Sequence, residues 1–423
     1  MSIFSSMNIN AADVSYSVGL LLAQYDNVNR LQNPTEADKN ETSYTLITTM
    51  SIVEDAADYS VFVDGNIRSI DYINDIAPDR VAGDITANLL WKIRPGQFEW
   101  YLDDTFTQTT INRFQNNSPG NRQNVNILST GPDYTIRFSA TNNLILSGRV
   151  ENFQFENNNQ QIFASGNNNR GTFSASWSKQ MNSRLNLSLN DDAEVVRYRN
   201  NQLNSYDRND VYLGVSYSSG LHTLDAQYGF TNVRNELTDN VQYDRYLLAV
   251  SRASTRNSSI RLSYQDIATD TGRQLAQGAT ASSGGGSIST LTSNDVFVDE
   301  TLRAQYIKTE ITGGFSLDIY SRNRTYRQLS ALDEESEGVV LTGNWNLEQG
   351  HSIVYAASYI NTLFVDSSVN REDEDYIYSI SYNHRLRRNL SVNASVISSE
   401  RESTAQFSYD DLTFTLGLTY SSL

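Results

Sequence analysis

Residues 81–93 read VAGDITANLLWKI, and alternate positions fall into two sets. Val81, Gly83, Ile85, Ala87, Leu89, Trp91 and Ile93 share one face, while Asp84, Thr86, Asn88 and Lys92 share the other. A period of two is the mark of a β-strand with one apolar and one polar side. The pattern recurs almost to the end of the chain. Val211, Leu213, Val215 and Tyr217 alternate in 210–218, and Leu412, Phe414, Leu416, Leu418 and Tyr420 in 411–421. Nothing constrains the fold more, because a chain made of such strands must find a cover for every apolar face.

The connections alternate too. Short turns fall near 54–58, 94–97, 140–143, 179–183, 218–220, 253–257, 307–309, 347–350 and 386–389. Longer polar loops fall near 26–40, 72–79, 113–122, 156–169, 198–206, 233–240, 268–293, 322–336, 365–374 and 401–408. Nineteen connections predict an all-β, antiparallel up-and-down sheet of about twenty strands, with eighteen as the alternative. A soluble sandwich would also alternate. Its strands, however, average about 5–6 residues, whereas these run to about 11–15, and a tilted membrane strand needs about 9–11. Loop asymmetry favours the same side, since outer-membrane barrels have short periplasmic turns and long extracellular loops. In lipid no sheet edge is tolerated, so the sheet must close into a transmembrane barrel. Its apolar stripe then faces lipid, with Trp91, Trp100, Tyr228, Tyr264, Tyr306, Trp345, Tyr378 and Tyr420 in the apolar phase. Asp104 and Glu300 also fall in that phase, which predicts a register slip or a bulge that turns them inward.

Composition narrows the chemistry. The net charge of −17 would repel a polyphosphate, which argues against nucleic acid as a partner. Absence of cysteine excludes disulfides and thiolate metal sites. No stretch approaches 18 apolar residues, so no transmembrane helix is expected. Residues 1–11 read as a residual signal or N-terminal segment and 12–423 as one barrel domain. Asn10-Ala11-Ala12 resembles the tail of a cleavage site, and a signal peptide is expected to precede the chain. The three histidines, His222, His351 and His384, sit in no catalytic motif, and neither HExxH, GxSxG nor a P-loop occurs. A non-enzyme without metal or cofactor is the expectation, with His351 as a turn residue.

The inward phase supplies the candidate lumen path: Asp84, Asn88, Lys92, Glu99, Asp103, Arg137, Arg149, Arg245, Arg303, Glu310 and Asp318, with Asp64, Arg68, Arg184, Asp225 and Asp299 beside them. Both signs occur among many Ser, Thr and Asn side chains. Such a wall can exchange hydrogen bonds with polyhydroxylated sugars, although a lumen that merely holds water would also be polar. The long loop 268–293, with SSGGGS at 282–287, reads either as an inward constriction or as a mobile external loop. DEESE (333–337) and REDED (371–375) read as solvated charge runs.

Gly131 and Pro132 interrupt an otherwise strand-like segment. A hairpin there would leave two arms too short to cross a bilayer. Val125, Ile127 and Ser129 are odd-numbered apolar-phase positions, while Tyr134, Ile136 and Phe138 are even-numbered. One extra residue, a β-bulge that kinks a single long strand, is therefore predicted.

Asn124–Tyr134 (NVNILSTGPDY), Leu144–Val150 (LILSGRV) and the Leu20–Asn29 region (LLLAQYDNVN) resemble segments of the exosortase (PEP-CTERM) system-associated outer-membrane barrels, grouped with the second family of putative β-barrel porins. The resemblance implies a bacterial outer-membrane barrel that exports exopolysaccharide, with a periplasmic polysaccharide export protein as partner. It carries no catalytic residue. Outer-membrane lipid and the barrel assembly machinery are further expected partners, with Tyr420 in place of the usual terminal aromatic. The alternatives are a general diffusion or nutrient porin, and a structural or adhesive barrel.

Overall fold

The computed structural model describes residues 12–112, 114–156, 166–199, 205–235, 240–281, 295–347, 350–365, 371–405 and 407–422. The segment 1–11 and the glycine-rich stretch 282–287 lie outside them. The strands are β1 (Asp13–Tyr25), β2 (Glu41–Asp55), β3 (Tyr59–Tyr72), β4 (Arg80–Arg94), β5 (Phe98–Thr110), β6 (Arg122–Ser139) and β7 (Asn142–Phe155). There follow β8 (Asn168–Gln180), β9 (Leu185–Tyr198), β10 (Tyr206–Ser218), β11 (His222–Asn235), β12 (Val241–Thr255) and β13 (Ser258–Asp270). A helix, α1 (Thr271–Ala281), precedes β14 (Val296–Glu310), β15 (Gly313–Tyr326), β16 (Glu334–Asn346) and β17 (His351–Phe364). The last three are β18 (Arg371–Arg387), β19 (Leu390–Ser403) and β20 (Tyr409–Ser421).

Each strand pairs antiparallel with its neighbours in sequence, and β20 returns to β1 from Ser17↔Ser421 to Tyr25↔Thr413. The sheet is a closed ring of 20 strands, and the short and long connections fall at opposite rims. Boundaries moved in three places. The turn expected at 307–309 lies at 311–312, because β14 runs on to Glu310. Both charge runs lie largely in strands rather than loops, since β16 begins at Glu334 and β18 at Arg371. Their inward acids are paired with arginine, Glu334 with Arg324 at 3.1 Å and Asp373 with Arg371.

The outward face explains why the ring sits in a membrane. Leu213, Val150, Leu302 and Leu416 are more than half exposed, which no water-soluble wall would repeat around its girth. All four tryptophans, Trp91, Trp100, Trp177 and Trp345, take the outward phase within three residues of the short-turn rim. They form one interfacial girdle, as membrane barrels require. Acids on the outward phase, among them Asp104, Asp266, Glu300, Glu337, Glu374 and Glu400, mark the other boundary of the apolar band. Asp104 and Glu300 thus face outward in register, opposite Ala87 and Asp266 respectively, with neither slip nor bulge. Glu300 accepts a hydrogen bond from the Tyr264 hydroxyl at 3.0 Å. His351 opens β17 and stacks on the paired His384 with ring centroids 4.1 Å apart.

Gly131 and Pro132 lie inside one strand, as expected, but without a bulge. Thr130 pairs with Val150 and Asp133 with Ser147, so the register against β7 is the same on either side of the two residues. The register shift in this hairpin comes later, between Arg137 and Ser139. The alternation predicts a bulge only if Val125 and Ile127 face lipid, and they do not. They are buried inside the barrel with Phe153, Phe155 and Leu275. Arg149 seals the gap in the ladder. Its guanidinium donates to the carbonyls of Pro132 (3.0 Å) and Gly148 (2.9 Å) and pairs with Asp133 at 2.7 Å. The Thr130 hydroxyl donates to the Tyr101 carbonyl and accepts from Trp100 Nε1. A β-carbon at Gly131 would collide with the Gly148 carbonyl. Replacement of Gly131 by valine is therefore expected to deplete the folded, heat-modifiable species on gels. Arg149→Ala should fold but lose about 1–3 kcal/mol, read as a lower urea midpoint in lipid.

Candidate functional site

The interior has two halves. Towards the long-loop rim, inward side chains from strands all around the ring are buried, including Glu41, Tyr72, Val125, Glu194, Asp299 and Asp373. Towards the short-turn rim the inward residues are half-buried or exposed, as a water-filled vestibule demands.

Two breaks in the wall account for the packed half. The β4–β5 ladder stops at Ile85↔Phe106, although both strands continue outward. Beyond it β5 pairs with β6 alone, from Thr107↔Val125 to Thr110↔Arg122. The β12–β13 ladder stops in the same way at Tyr246↔Asp266, and β13 continues with β14 alone to Asp270↔Val296. Freed on one side, both hairpins lean into the barrel. Ala268 continues the outward phase of Leu262, yet it is buried with Val196, Tyr206 and Val233. The loop 111–121 that crowns β5 and β6 reaches strands about ten places away, on the far side of a ring of twenty. There Phe114 packs with Phe297, Tyr326 and Leu332, and against Phe364 at 5.3 Å. Its carbonyl accepts from Arg371 Nη1 at 2.5 Å. Arg30, from the loop 26–40, donates to the Asn117 carbonyl at 3.0 Å.

The β13–β14 hairpin is held by buried charge. Arg170 on β8 pairs with Asp270 at 2.5 Å and with Glu194 on β9 at 3.1 Å. Tyr206 donates to Asp270 at 2.6 Å. The same carboxylate accepts from the backbone N–H groups of Gly272 (2.8 Å) and Arg273 (3.2 Å), so it caps α1. Arg273 reaches Glu194 and Asp210 at 3.3 and 3.6 Å. On its other side α1 presents Gln274, which donates to Asp299 at 2.7 Å and accepts from Arg324 at 2.9 Å. Leu275 closes the chord against the interior apolar cluster of β6 and β7. The start of the long 268–293 loop is thus a folded inward constriction. Asp295, just before β14, accepts from the backbone N–H groups of Gln328 and Leu329, and burial raises its pKa above the ordinary aspartate value.

The residues expected to line the path are distributed as struts along the wall. Asp84 pairs with Arg68 at 3.0 Å and accepts from Thr107 at 2.8 Å. Asn88 donates to Asp103 at 2.7 Å, and Arg303 grips Asp318 through Nε at 2.8 Å. Lys92 and Glu99 brace short turns, Lys92 through Asp55 (2.6 Å) and Glu99 through the Gly96 N–H (3.0 Å). Arg245 donates to Gln227 at 3.0 Å and lies over the Tyr212 ring at 4.4 Å. Arg137 lines a cavity at the short-turn rim, and Arg149 seals the Gly131–Pro132 gap. Glu310 is a correction: it shares the outward phase of Lys308, its partner at 2.6 Å, because β14 is longer than expected. The structure does not gather these residues into one locus. The buried set around Asp270 and Asp299 is the convergent one, and apart from Asp299 none of it was singled out from sequence. Its sequence signal is faint: Arg170, Glu194, Asp299 and Arg324 are charged residues on the inward phase near long loops, whereas Asp270 shares the outward phase of Ala268 and gives no such signal.

No protein-family description matches the chain, and no curated protein sequence matches it. Its structure is similar to the ferric enterobactin receptor of Pseudomonas aeruginosa, with 11% identity, a TM-score of 0.50, and 96% of this chain and 80% of that one covered. It is similar to the FrpB iron transporter of Neisseria meningitidis, at 9% identity and a TM-score of 0.50, covering 96% and 81%. A BenF-like porin from Pseudomonas fluorescens aligns at 11% identity with a TM-score of 0.42, covering 98% and 100%. Identities this low speak to fold alone. The protein is a twenty-stranded outer-membrane β-barrel. Its short-turn rim, with the tryptophan girdle, is periplasmic, and the packed half lies towards the cell exterior.

Removal of one partner from a buried ion pair costs about 3–5 kcal/mol. Arg170→Ala is therefore expected to release the β13–β14 hairpin. In planar bilayers it should raise channel opening well above that of the parent, and Arg170→Lys should fall between the two.

Proposed function

We propose that this barrel is a gated export conduit for exopolysaccharide. The observation that carries the reading is the asymmetry of its interior. The vestibule is polar and accessible towards the periplasm, and among the described residues the outer half is packed by two leaning hairpins, β5–β6 through Phe114 and arginine bonds to loop carbonyls and β13–β14 through paired charges. A general diffusion pore needs a standing aperture, which a packed outer half does not offer. A gated mouth suits a cargo that is delivered from inside and must pass without a permanent leak.

Polysaccharide as the cargo is supported by the resemblance of the 124–134 and 144–150 segments to exosortase-associated barrels. The wall chemistry is in accord with it. The Arg303–Asp318 ion pair and the Asn88–Asp103 hydrogen bond leave amides, hydroxyls and hydrogen-bonded ions along the wall, so a sugar chain can exchange hydrogen bonds without a deep trap. The vestibule residues are accordingly proposed as the path, and a periplasmic polysaccharide export protein as the donor at the short-turn rim. Asn88, Asp103, Arg303 and Asp318 act as its rails rather than as catalysts, and Asp84 lies further out, beyond the β4–β5 ladder break.

The uptake reading has one observation in its favour. Two neighbours of TM-score 0.50 are a ferric enterobactin receptor and an iron transporter, and a packed outer half would suit capture from outside. Deletion of the gene separates the two. Export predicts that most surface polysaccharide disappears and material accumulates in the periplasm, measured by fractionated carbohydrate assay. Unchanged surface polysaccharide in an otherwise intact strain would contradict it.

A further inference from the structure

The vestibule contains a cavity of ≈ 710 Å³ at the short-turn rim, within the range of small-molecule sites. Its wall is formed by the ends of β6 to β11 and by the turns 140–141 and 181–184. Most of the lining consists of amides and hydroxyls, among them Asn143, Ser178, Asn186 and Ser216. Ser178 donates to Asn143, and both residues line the cavity.

The charge of this wall departs from that of the chain. The protein carries −17, yet the charged residues of the cavity are Arg137, Arg184 and Asp225. Arg68, Arg149 and Arg303 elsewhere on the inner wall each hold a carboxylate within about 3 Å. The guanidinium groups of Arg137 and Arg184 make no ion pair or hydrogen bond to any described residue, and Arg184 is tied to its turn by its backbone N–H, which donates to Asn182 at 2.8 Å. Arg137 borders the cavity on its β6 side, and its guanidinium lies over the 95–97 turn, close to Gly96. An unpaired guanidinium is a planar fork suited to a carboxylate. Amide and hydroxyl groups around it suit the ring oxygens of a sugar.

We infer that this cavity is a docking site for a carboxylated saccharide, the leading end of an acidic chain that enters from the periplasm. The assignment rests on the export reading and adds the substrate class. Arg184 holds the carboxylate, Arg137 adds positive charge at the β6 edge, and the amide–hydroxyl wall holds the ring. Asp225 disfavours a second negative charge at the far edge of the site, which spaces the bound charges along the chain.

Calorimetric titration of the full-length barrel in detergent with an oligogalacturonate, and with a neutral malto-oligosaccharide of equal length, tests this. The acidic oligomer is expected to bind roughly tenfold or more tightly than the neutral one, and Arg137→Gln with Arg184→Gln to remove that difference. Heat-modifiable mobility of the double variant confirms that the barrel is intact. Equal binding of both oligomers, or an unchanged preference in the variant, overturns the acidic assignment while the export reading stands. Full displacement of the oligogalacturonate by inorganic phosphate of equal charge also overturns it, because the site then reads charge alone. Failure of the export reading shows elsewhere, as unchanged surface polysaccharide in the deletion strain.

Discussion

A backbone amide or carbonyl inside hydrocarbon has no water to turn to, and the rest of this structure depends on that fact. It closes the sheet from β20 to β1. It also dictates where the sheet can come apart. The two ladder breaks begin at Ile85↔Phe106 and Tyr246↔Asp266, level with the outward acids Asp104 and Asp266 that end the apolar band. Freed strand edges lie beyond it, where side chains and water can satisfy them. The Asn124 amide donating to the Val81 carbonyl is one such substitute. Within the band, the one place where proline removes a donor is covered by Arg149.

The breaks turn a tube into a cup. Each lets a hairpin lean inward, and once inside, the hairpins need partners of their own. Apolar faces meet apolar side chains at Leu275 and Phe114, and charges meet charges at Asp270 and Asp299. Buried ion pairs of this kind add little net stability, because desolvation offsets their attraction. Their value lies in specificity: each carboxylate has one good place to be, so the closed mouth is one arrangement rather than many. A mouth held that way can also be opened by a competing charge, which a wholly apolar plug would resist.

Much of this was legible in the amino-acid sequence, and the remainder was hidden for physical reasons. Strand number and the two rims follow from local alternation, since every crossing must repeat it. Inner and outer apolar faces are not distinguished by alternation. Val125 and Ile127 look like lipid-facing residues, but they share the inward phase of Asp133 and Arg137 and are covered there by Phe153, Phe155 and Leu275 of α1. REDED and DEESE look like loops because both faces are charged. One face is solvated above the membrane, and the other is paired to Arg324, Arg371 and Arg401. The Arg170–Asp270 latch joins residues far apart in the chain and leaves no local trace. Glu310 was misplaced because a turn three residues late reverses the face of whatever lies between.

The central claim is an interior open to the periplasm and closed to the outside. Since the chain has no cysteine, single cysteines report on it without background. A membrane-impermeant maleimide applied to intact cells should label Glu36→Cys, in an exposed outer loop, and should leave Ser178→Cys and Thr223→Cys in the vestibule unlabelled until the periplasm is opened. Labelling of the vestibule positions in intact cells as fast as Glu36→Cys would contradict the account.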